Sequence, residues 1–470
     1  MRKTTKTLSI AASVLLALGY VACSDDAEDD TVAAEDAGGT GNTDGDDGDS
    51  DASDTGGTDS QGDGGEGAVD EGETGGAEPA GGAGGAGGAP SACDLSREGR
   101  VEEVIEAGTN WSGELDAAKV YVLEGNVYVD AGDTLTIPPC TRIEGDGPTK
   151  ATLIVTRGGR IEAEGTADAP ILFTARDEAE AGSWGGLLLL GQAPCSLGED
   201  VAVEGLPEDP RHQFGGTDPD DDSGILRYVR LEYTGIDLGN GNEINGLSLA
   251  GVGSGTTISH VMVKETLDDC FEFFGGTVSA DHLVCVDGGD DMFDADDGYV
   301  GTLSYVFGQH GAQSSSDPSG LEWDGTDDKA GEWDTVVTLQ NATLCSNEAS
   351  LAAMVLRRGI TGQIDELVAV GFPIGVDLRD AVSGISITNS VIVADALAQD
   401  EPAGTADVDD DGGVDDAAWF LDGTGNSEDD PGFSADDCMA ANPDAAVFES
   451  DLGAFEGDAD WARGLWTGWE

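Results

Sequence analysis

The chain has 470 residues, of which 95 are Asp or Glu and only 20 are Lys or Arg, for a net charge of −75. So much negative charge excludes nucleic acid and anionic membrane surfaces as partners, because both would be repelled. It admits divalent cations, cationic ligands and neutral or metal-bridged sugars, and 73 glycines with 6% aromatics suit a tail followed by one long domain.

Residues 1–23 read as an export signal. Arg2, Lys3 and Lys6 make a basic start, Leu8 to Leu18 an apolar core, and Tyr20-Val21-Ala22-Cys23 an ending of small residues before a cysteine. That ending resembles a lipoprotein signal, although a tyrosine stands three before the cysteine where a leucine is usual. The resemblance implies that Cys23 becomes the lipidated first residue of the mature chain. An ordinary secretory signal cut nearby is the alternative. No later stretch approaches the roughly 18 continuous apolar residues of a membrane span, so attachment is expected through lipid alone. Ser24 and Asp25 do not suggest a strong inner-membrane retention signal, although the sequence leaves the leaflet that holds the lipid open.

Residues 24–92 are built from Asp, Gly, Glu, Ala, Ser and Thr, with no Lys or Arg until Arg97. Such a segment buries too little apolar area to offset the entropy of ordering, and like charges extend it. It is expected to be a disordered acidic stalk.

The domain is expected to run from residue 93 to residue 470. Val120-Tyr121-Val122-Leu123 and Asn126-Val127-Tyr128-Val129 read as short strands. The strongest signal lies in residues 260–299, where two segments repeat at 22 residues without a gap. His260-Val261-Met262-Val263 returns as His282-Leu283-Val284-Cys285, and Asp268-Asp269-Cys270-Phe271-Glu272 returns as Asp290-Asp291-Met292-Phe293-Asp294, with Gly276 returning as Gly298. A fixed period in the low twenties that carries short alternating strands and Gly/Asp corners predicts an all-β solenoid. Each residue should then sit roughly 4.8 Å above its counterpart. Glu272 should stand over Asp294, both facing out, with Phe271 over Phe293 inside.

Other phrases carry a family resemblance. They include Gly132-Asp133-Thr134-Leu135-Thr136-Ile137-Pro138-Pro139-Cys140, Arg157-Gly158-Gly159-Arg160-Ile161, Trp184-Gly185-Gly186-Leu187, Asn242-Glu243-Ile244-Asn245-Gly246-Leu247 and the closing Gly453-Ala454-Phe455. Their order resembles bacterial surface lipoproteins with a pectate-lyase-like right-handed parallel β-helix, over about residues 120–470. The resemblance implies fold and surface location but no particular reaction. Residues 93–130 are expected to cap the first turn, and Trp461, Trp466 and Trp469 to cover the last.

Aligning the turns predicts a column of acids. Phe271-Glu272-Phe273, Phe293-Asp294-Ala295 and Leu321-Glu322-Trp323 place Glu272, Asp294 and Glu322 on one face, with Asp296 and Asp324 in a second file. Met354-Val355-Leu356 and Val376-Asp377-Leu378 continue the alignment, and the face turns basic at Arg357, Arg358 and Arg379. Close carboxylates repel, so water and salt, a cation or a shared proton must relieve them. Calcium, which takes six to eight oxygens without strict geometry, is the candidate cofactor, with Asp268 and Asp290 beside the column as further ligands. The catalytic candidates are Glu272, Asp294, Asp296 and Glu322, one protonating a glycosidic oxygen while a neighbour acts as base or nucleophile. Polysaccharide lyases and hydrolases on the fold that the resemblance implies use aspartates on this face. The hydrolases' Gly-His-Gly is only Gln309-His310-Gly311 here, so no catalytic residue carries over by motif.

Two acidic loops add calcium candidates. Asp407, Asp409, Asp411 and Asp415 follow the spacing of an EF-hand loop with Gly412 at its sixth position, but Ala418 stands where a bidentate Glu is needed. Asp218, Asp220 and Asp222 alternate in a second loop. His260 and His282 are expected to stack at the strand start rather than bind a transition metal. Without Cys23, seven cysteines remain, so at least one is free or pairs elsewhere, and Cys285 should face the core.

These features lead to a cell-surface lipoprotein, expected to be monomeric, whose β-helix binds calcium and a polysaccharide or surface partner. A carbohydrate-active enzyme and an accessory lipoprotein of an outer-membrane transporter are the alternatives. Replacing Cys23 by Ser is expected to move the chain from the membrane to the soluble fraction and to abolish fatty-acid labelling.

Overall fold

The computed structural model describes residues 93–177, 179–238, 243–311, 318–326, 333–347, 350–379, 384–399, 413–439, 445–455 and 459–469. Lipidation at Cys23, the stalk, and Asp407, Asp409 and Asp411 lie outside the described residues.

The chain winds as a parallel β-helix. Successive turns add strands to one sheet of 15 strands and one of 10, and every neighbouring pair in the helix is parallel. The 22-residue repeat is one turn of this coil. Ile258 pairs with Ala280 and Val263 with Cys285 in the larger sheet, while Phe271 pairs with Phe293 in the smaller. Alternation then buries one side of each strand in continuous columns. Phe271 and Phe293 stack with ring centroids 5.3 Å apart and planes 10° from parallel. Trp323 follows in the column of Phe273 and Ala295, and all of these residues are buried.

The long strands bend rather than run straight. Tyr228, His260, His282, Tyr305, Asn341 and Glu366 occupy the same place in successive turns, and all have φ between +50° and +60°. Each of these left-handed residues turns its strand sharply, so one strand serves two sides of the coil. His260 and His282 thus stack at a bend inside their strands, not at the strand start as expected. Their rings lie 4.2 Å apart, in a run completed by Tyr228 at 4.3 Å and Tyr305 at 4.9 Å. Gly276 and Gly298, at φ +84° and +83°, make the equivalent tight corners that follow the short strands.

The first turn is closed by Ile105, Trp111 and Leu115, which join the core. This N-terminal segment is held firmly. Cys93 is bonded to Cys140. Arg97 pairs with the buried Glu144, and Arg100 donates to the carbonyls of Asp94, Ala117 and Cys140.

At the other end the tryptophans do not cover the last turn. That place is taken by the helix Asp416–Leu421, whose Phe420 enters the core. Asp415, a calcium candidate from the sequence, caps this helix, accepting from Ala418 N at 2.9 Å. The Trp-rich segment turns back along the outside of the larger sheet. Phe455, Trp461, Trp466 and Trp469 cover Met262, Val284, Phe307 and Val368, because the outward residues of these strands are apolar and need a cover. The segment is anchored by Cys345–Cys438, reaches Thr343 through Ala454 N and ends over Arg230, which donates to Leu465 O.

The third described disulfide joins Cys270 to Cys285, and Cys195 is free and buried. Cys345 and Cys438 are 93 residues apart. Removing that link with Cys345→Ala and Cys438→Ala together is expected to cost up to about 4.7 kcal/mol by the chain-entropy estimate. Denaturant unfolding read by tryptophan fluorescence checks this, with a lower midpoint expected.

Candidate functional site

Stacking carries the acids into register. Glu272 pairs with Asp294 and Asp294 with Glu322 across successive turns of the smaller sheet. Val355 follows Glu322, with Asp377 opposite Val355 one turn later, as the alignment of turns predicted, and Ser248 precedes Glu272. In the turns that lead into these strands, the doublets Asp268-Asp269 and Asp290-Asp291 lie one period apart. Asp291 N donates to Asp269 Oδ1 at 2.8 Å.

The column is less open than the sequence suggested, with Asp294 and Glu322 half-buried. Glu272 is only 8% exposed, and Asp268, Asp269, Asp291 and Asp324 are also buried. The outward residues Leu188, Leu190, Ala250 and Phe274 of the smaller sheet attract an apolar cover from Cys195, Val203, Phe214 and Ile244. Two excursions of the chain bring that cover, the hairpins pairing Val201 with Phe214 and Ile236 with Ile244. Beside Ile244, Asn245 Nδ2 donates to Glu272 and lies 3.5 Å from Ser248 Oγ. Glu272 is thereby taken out of water, while Asp294 and Glu322 stay half-buried.

The electrostatics follow. Burial, followed by neighbouring carboxylates, pushes Asp268, Asp269, Glu272, Asp291, Asp294 and Asp296 well above the usual carboxylate range. Burial and the charge of Asp324 raise Asp297 to about 6. The hairpins add to the charge, because Glu204 and Glu243 both act on Asp268. Asp296 Oδ1 is sealed from solvent and takes no hydrogen bond.

Two sets of three carboxylates converge. In Asp268, Asp269 and Asp290, and again in Asp269, Glu272 and Asp294, one ligand oxygen from each residue lies within 4.8 Å of the others. Asp269 belongs to both sets. Asp268, Asp290, Glu272 and Asp294 were candidates from the sequence, but Asp269 and Asp291 were not. Their doublets were visible, yet the direction of a side chain in a turn does not follow from strand alternation. Asp296 and Glu322 lie beside the second set without joining it. At the far end Arg357 binds Glu322 and Asp324, Arg358 reaches Asp324 at 3.1 Å, and Arg379 pairs with Asp377 at 3.1 Å.

Other candidates do not converge. Asp218 holds its own turn through Asp220 N, Asp220 accepts from Ser254, and Asp222 pairs with Arg160. The buried acid of that loop is Asp221, which accepts from Gln192 at 3.3 Å and is raised by burial. His260, Asp281 and His282 also cluster. The imidazoles are stacked with planes 11° from parallel, so their in-plane lone pairs run side by side rather than meeting at one ion. His310 is fully buried against Ser350 and pushed down to about 3 by burial, which removes it from acid–base chemistry on the face. A cavity of about 420 Å³ lined by Gly145, Pro148, Ala175, Arg176 and Ser183 contains none of the column acids.

A family model described as a pectate-lyase like beta helix domain matches residues 109–430. No curated protein and no solved structure matches the chain. The matched span holds the stacked core, both carboxylate sets and the covering hairpins, and the chain belongs to the family of pectate-lyase-like β-helix domains.

Proposed function

We propose that this chain is a lipid-anchored outer-membrane or cell-surface protein whose β-helix binds a polysaccharide or a surface partner with the help of calcium. The observation that carries the calcium reading is the pair of carboxylate triads sharing Asp269. Their donors are all oxygen, which suits a hard cation, and no sulfur or imidazole takes part. Like charges held together out of water need a cation or protons, and Asp296 Oδ1, buried without a partner, adds to that need. A calcium ion held by these oxygens would neutralise them and attract a ligand's hydroxyl or carboxylate oxygens.

Within this reading each residue has a distinct part. Asp269 bridges the two sets. Asp268 and Asp290 reach it from the turns, and Glu272 and Asp294 from the strands. Asn245 fixes the Glu272 carboxylate by its hydrogen bond. Surface location and the lipid anchor rest on residues 1–23 and on the family resemblance in the sequence. A second reading, a polysaccharide lyase or glycoside hydrolase, is favoured by one observation: Glu272 and Asp294 are adjacent and both hold protons unusually tightly. An Asp294→Asn chain that loses turnover of a glycan while still binding it would select the enzyme.

Calorimetric titration of the chelator-stripped full chain is expected to show tight calcium sites. Asp269→Asn should weaken both sets and Asp294→Asn only one, each by at least about tenfold, or 1.4 kcal/mol. Tight binding unchanged by Asp269→Asn would remove the calcium reading. The pH dependence provides an independent check. The raised carboxyls keep protons in the folded chain at pH values where the unfolded chain, near 3.9 for Asp, has released them. Stability without calcium is therefore expected to be highest below that range and to fall as pH rises through about 6, where Asp297 titrates. Thermal unfolding at pH 4 to 8 should show this fall, and millimolar calcium should remove most of it.

A further inference from the structure

The carboxylate column ends in an unusual way. Glu322 faces Val355 in the next turn, so stacking supplies no further acid there. Two residues along the same strand, Arg357 pairs in register with Asp324 and returns its guanidinium to the column. Its Nη2 reaches Glu322 and its Nε reaches Asp324, while Arg358 takes the second oxygen of Asp324. The Asp324 side chain is 7% exposed and that of Arg357 27%, so this is a partly enclosed ion cluster.

Asp294 stands between two neighbourhoods. On one side is Glu272, in the triad with Asp269; on the other is Glu322, held by Arg357. The same crowding is met in two ways along one file. The carboxylates of Asp269, Glu272 and Asp294 converge on a common point, while Glu322 and Asp324 converge on a guanidinium. A guanidinium is permanently charged and its planar fork satisfies two carboxylates at once, so it does there what a divalent ion does among oxygens.

We infer that Arg357 is a built-in counter-cation that occupies the C-terminal end of the acidic column and thereby limits the number of divalent ions the column holds. This rests on the calcium reading of the neighbouring triads. Removing the guanidinium leaves Asp294, Glu322 and one oxygen of Asp324 without their counter-charge, with Arg358 still on the other Asp324 oxygen, beside the proposed cation site. A divalent ion then becomes the replacement, and the stability of the variant becomes tied to that ion. Arg357 is thus a residue that determines stoichiometry and contributes no ligand atom itself.

The test is calcium stoichiometry by equilibrium dialysis and atomic absorption on the full chain. It compares wild type, Arg357→Gln, and Arg357→Gln combined with Asp324→Asn, with thermal unfolding of each in chelator and in millimolar calcium. Arg357→Gln is expected to bind one more tight calcium ion per chain than wild type and to show a larger calcium-induced rise in unfolding midpoint. The double variant, with one fewer charge to neutralise, is expected to return to the wild-type number. An equal number of ions in Arg357→Gln and wild type would overturn the inference. So would an Arg357→Gln chain that stays unfolded in millimolar calcium, because calcium would then be unable to replace the guanidinium. Absence of tight calcium from the wild type would instead remove the functional reading beneath it, so the two failures are distinguishable.

Discussion

The structure depends on one constraint, the in-register stacking of parallel strands. Every turn places a residue about 4.8 Å from its counterpart, whatever that residue is. Where the repeated position is apolar, this gives the Phe271–Phe293 stack and the rest of the core. At the bend it gives the Tyr228–His260–His282–Tyr305 run. Where the position is acidic, it gives Glu272, Asp294 and Glu322 in file. The geometry that stabilises the core therefore also creates the electrostatic difficulty. Two unit charges at that spacing cost about 3 kcal/mol at an effective dielectric of 20, and beside Glu272 the covering hairpins limit the water that would reduce the cost further.

A coil of this kind is close to one-dimensional, since each turn touches chiefly the turns before and after it. The C-terminal segment departs from that rule. Anchored at Cys345 and ending over Arg230, it lies across the outer face of the intervening turns and covers their apolar residues with tryptophans. Turns that are distant along the axis thus share one cover. The carboxylate sets belong to the same stretch of coil, so the cover supports the turns in which like charges oppose stacking.

Much of this was legible in the sequence, for a physical reason. The gapless 22-residue repeat between His260 and Gly298 leaves only one register, so the Glu272–Asp294 and Phe271–Phe293 pairs could be read directly. The match of Leu321-Glu322-Trp323, and then of Met354-Val355-Leu356, survived an insertion because strand alternation fixes which side each residue faces. What escaped was everything set by segments outside the repeat. Burial of Glu272 depends on hairpins whose own pairing has no repeat to reveal it. The convergence of Asp269 on both triads depends on the shape of a turn. The tryptophans were recognised as a cover, but their target was missed, because outward Met262, Val284 and Phe307 look like ordinary strand residues until something is seen to lie on them.

The clamp at the start of the domain has a mechanical meaning. Residue 93 is where the preceding chain enters, and Cys93 is bonded directly to Cys140. A pull transmitted along the preceding chain would reach Cys140 through that covalent link before it could load the edge strand Val101–Ile105, with Arg97 on Glu144 sharing the strain. Peeling from the edge, the weakest way to open a stack of strands, is thereby bypassed. Tension would instead be delivered to a region that already has strands on both sides of it. A pull at residue 93 is thus met by several turns at once rather than unravelling the first.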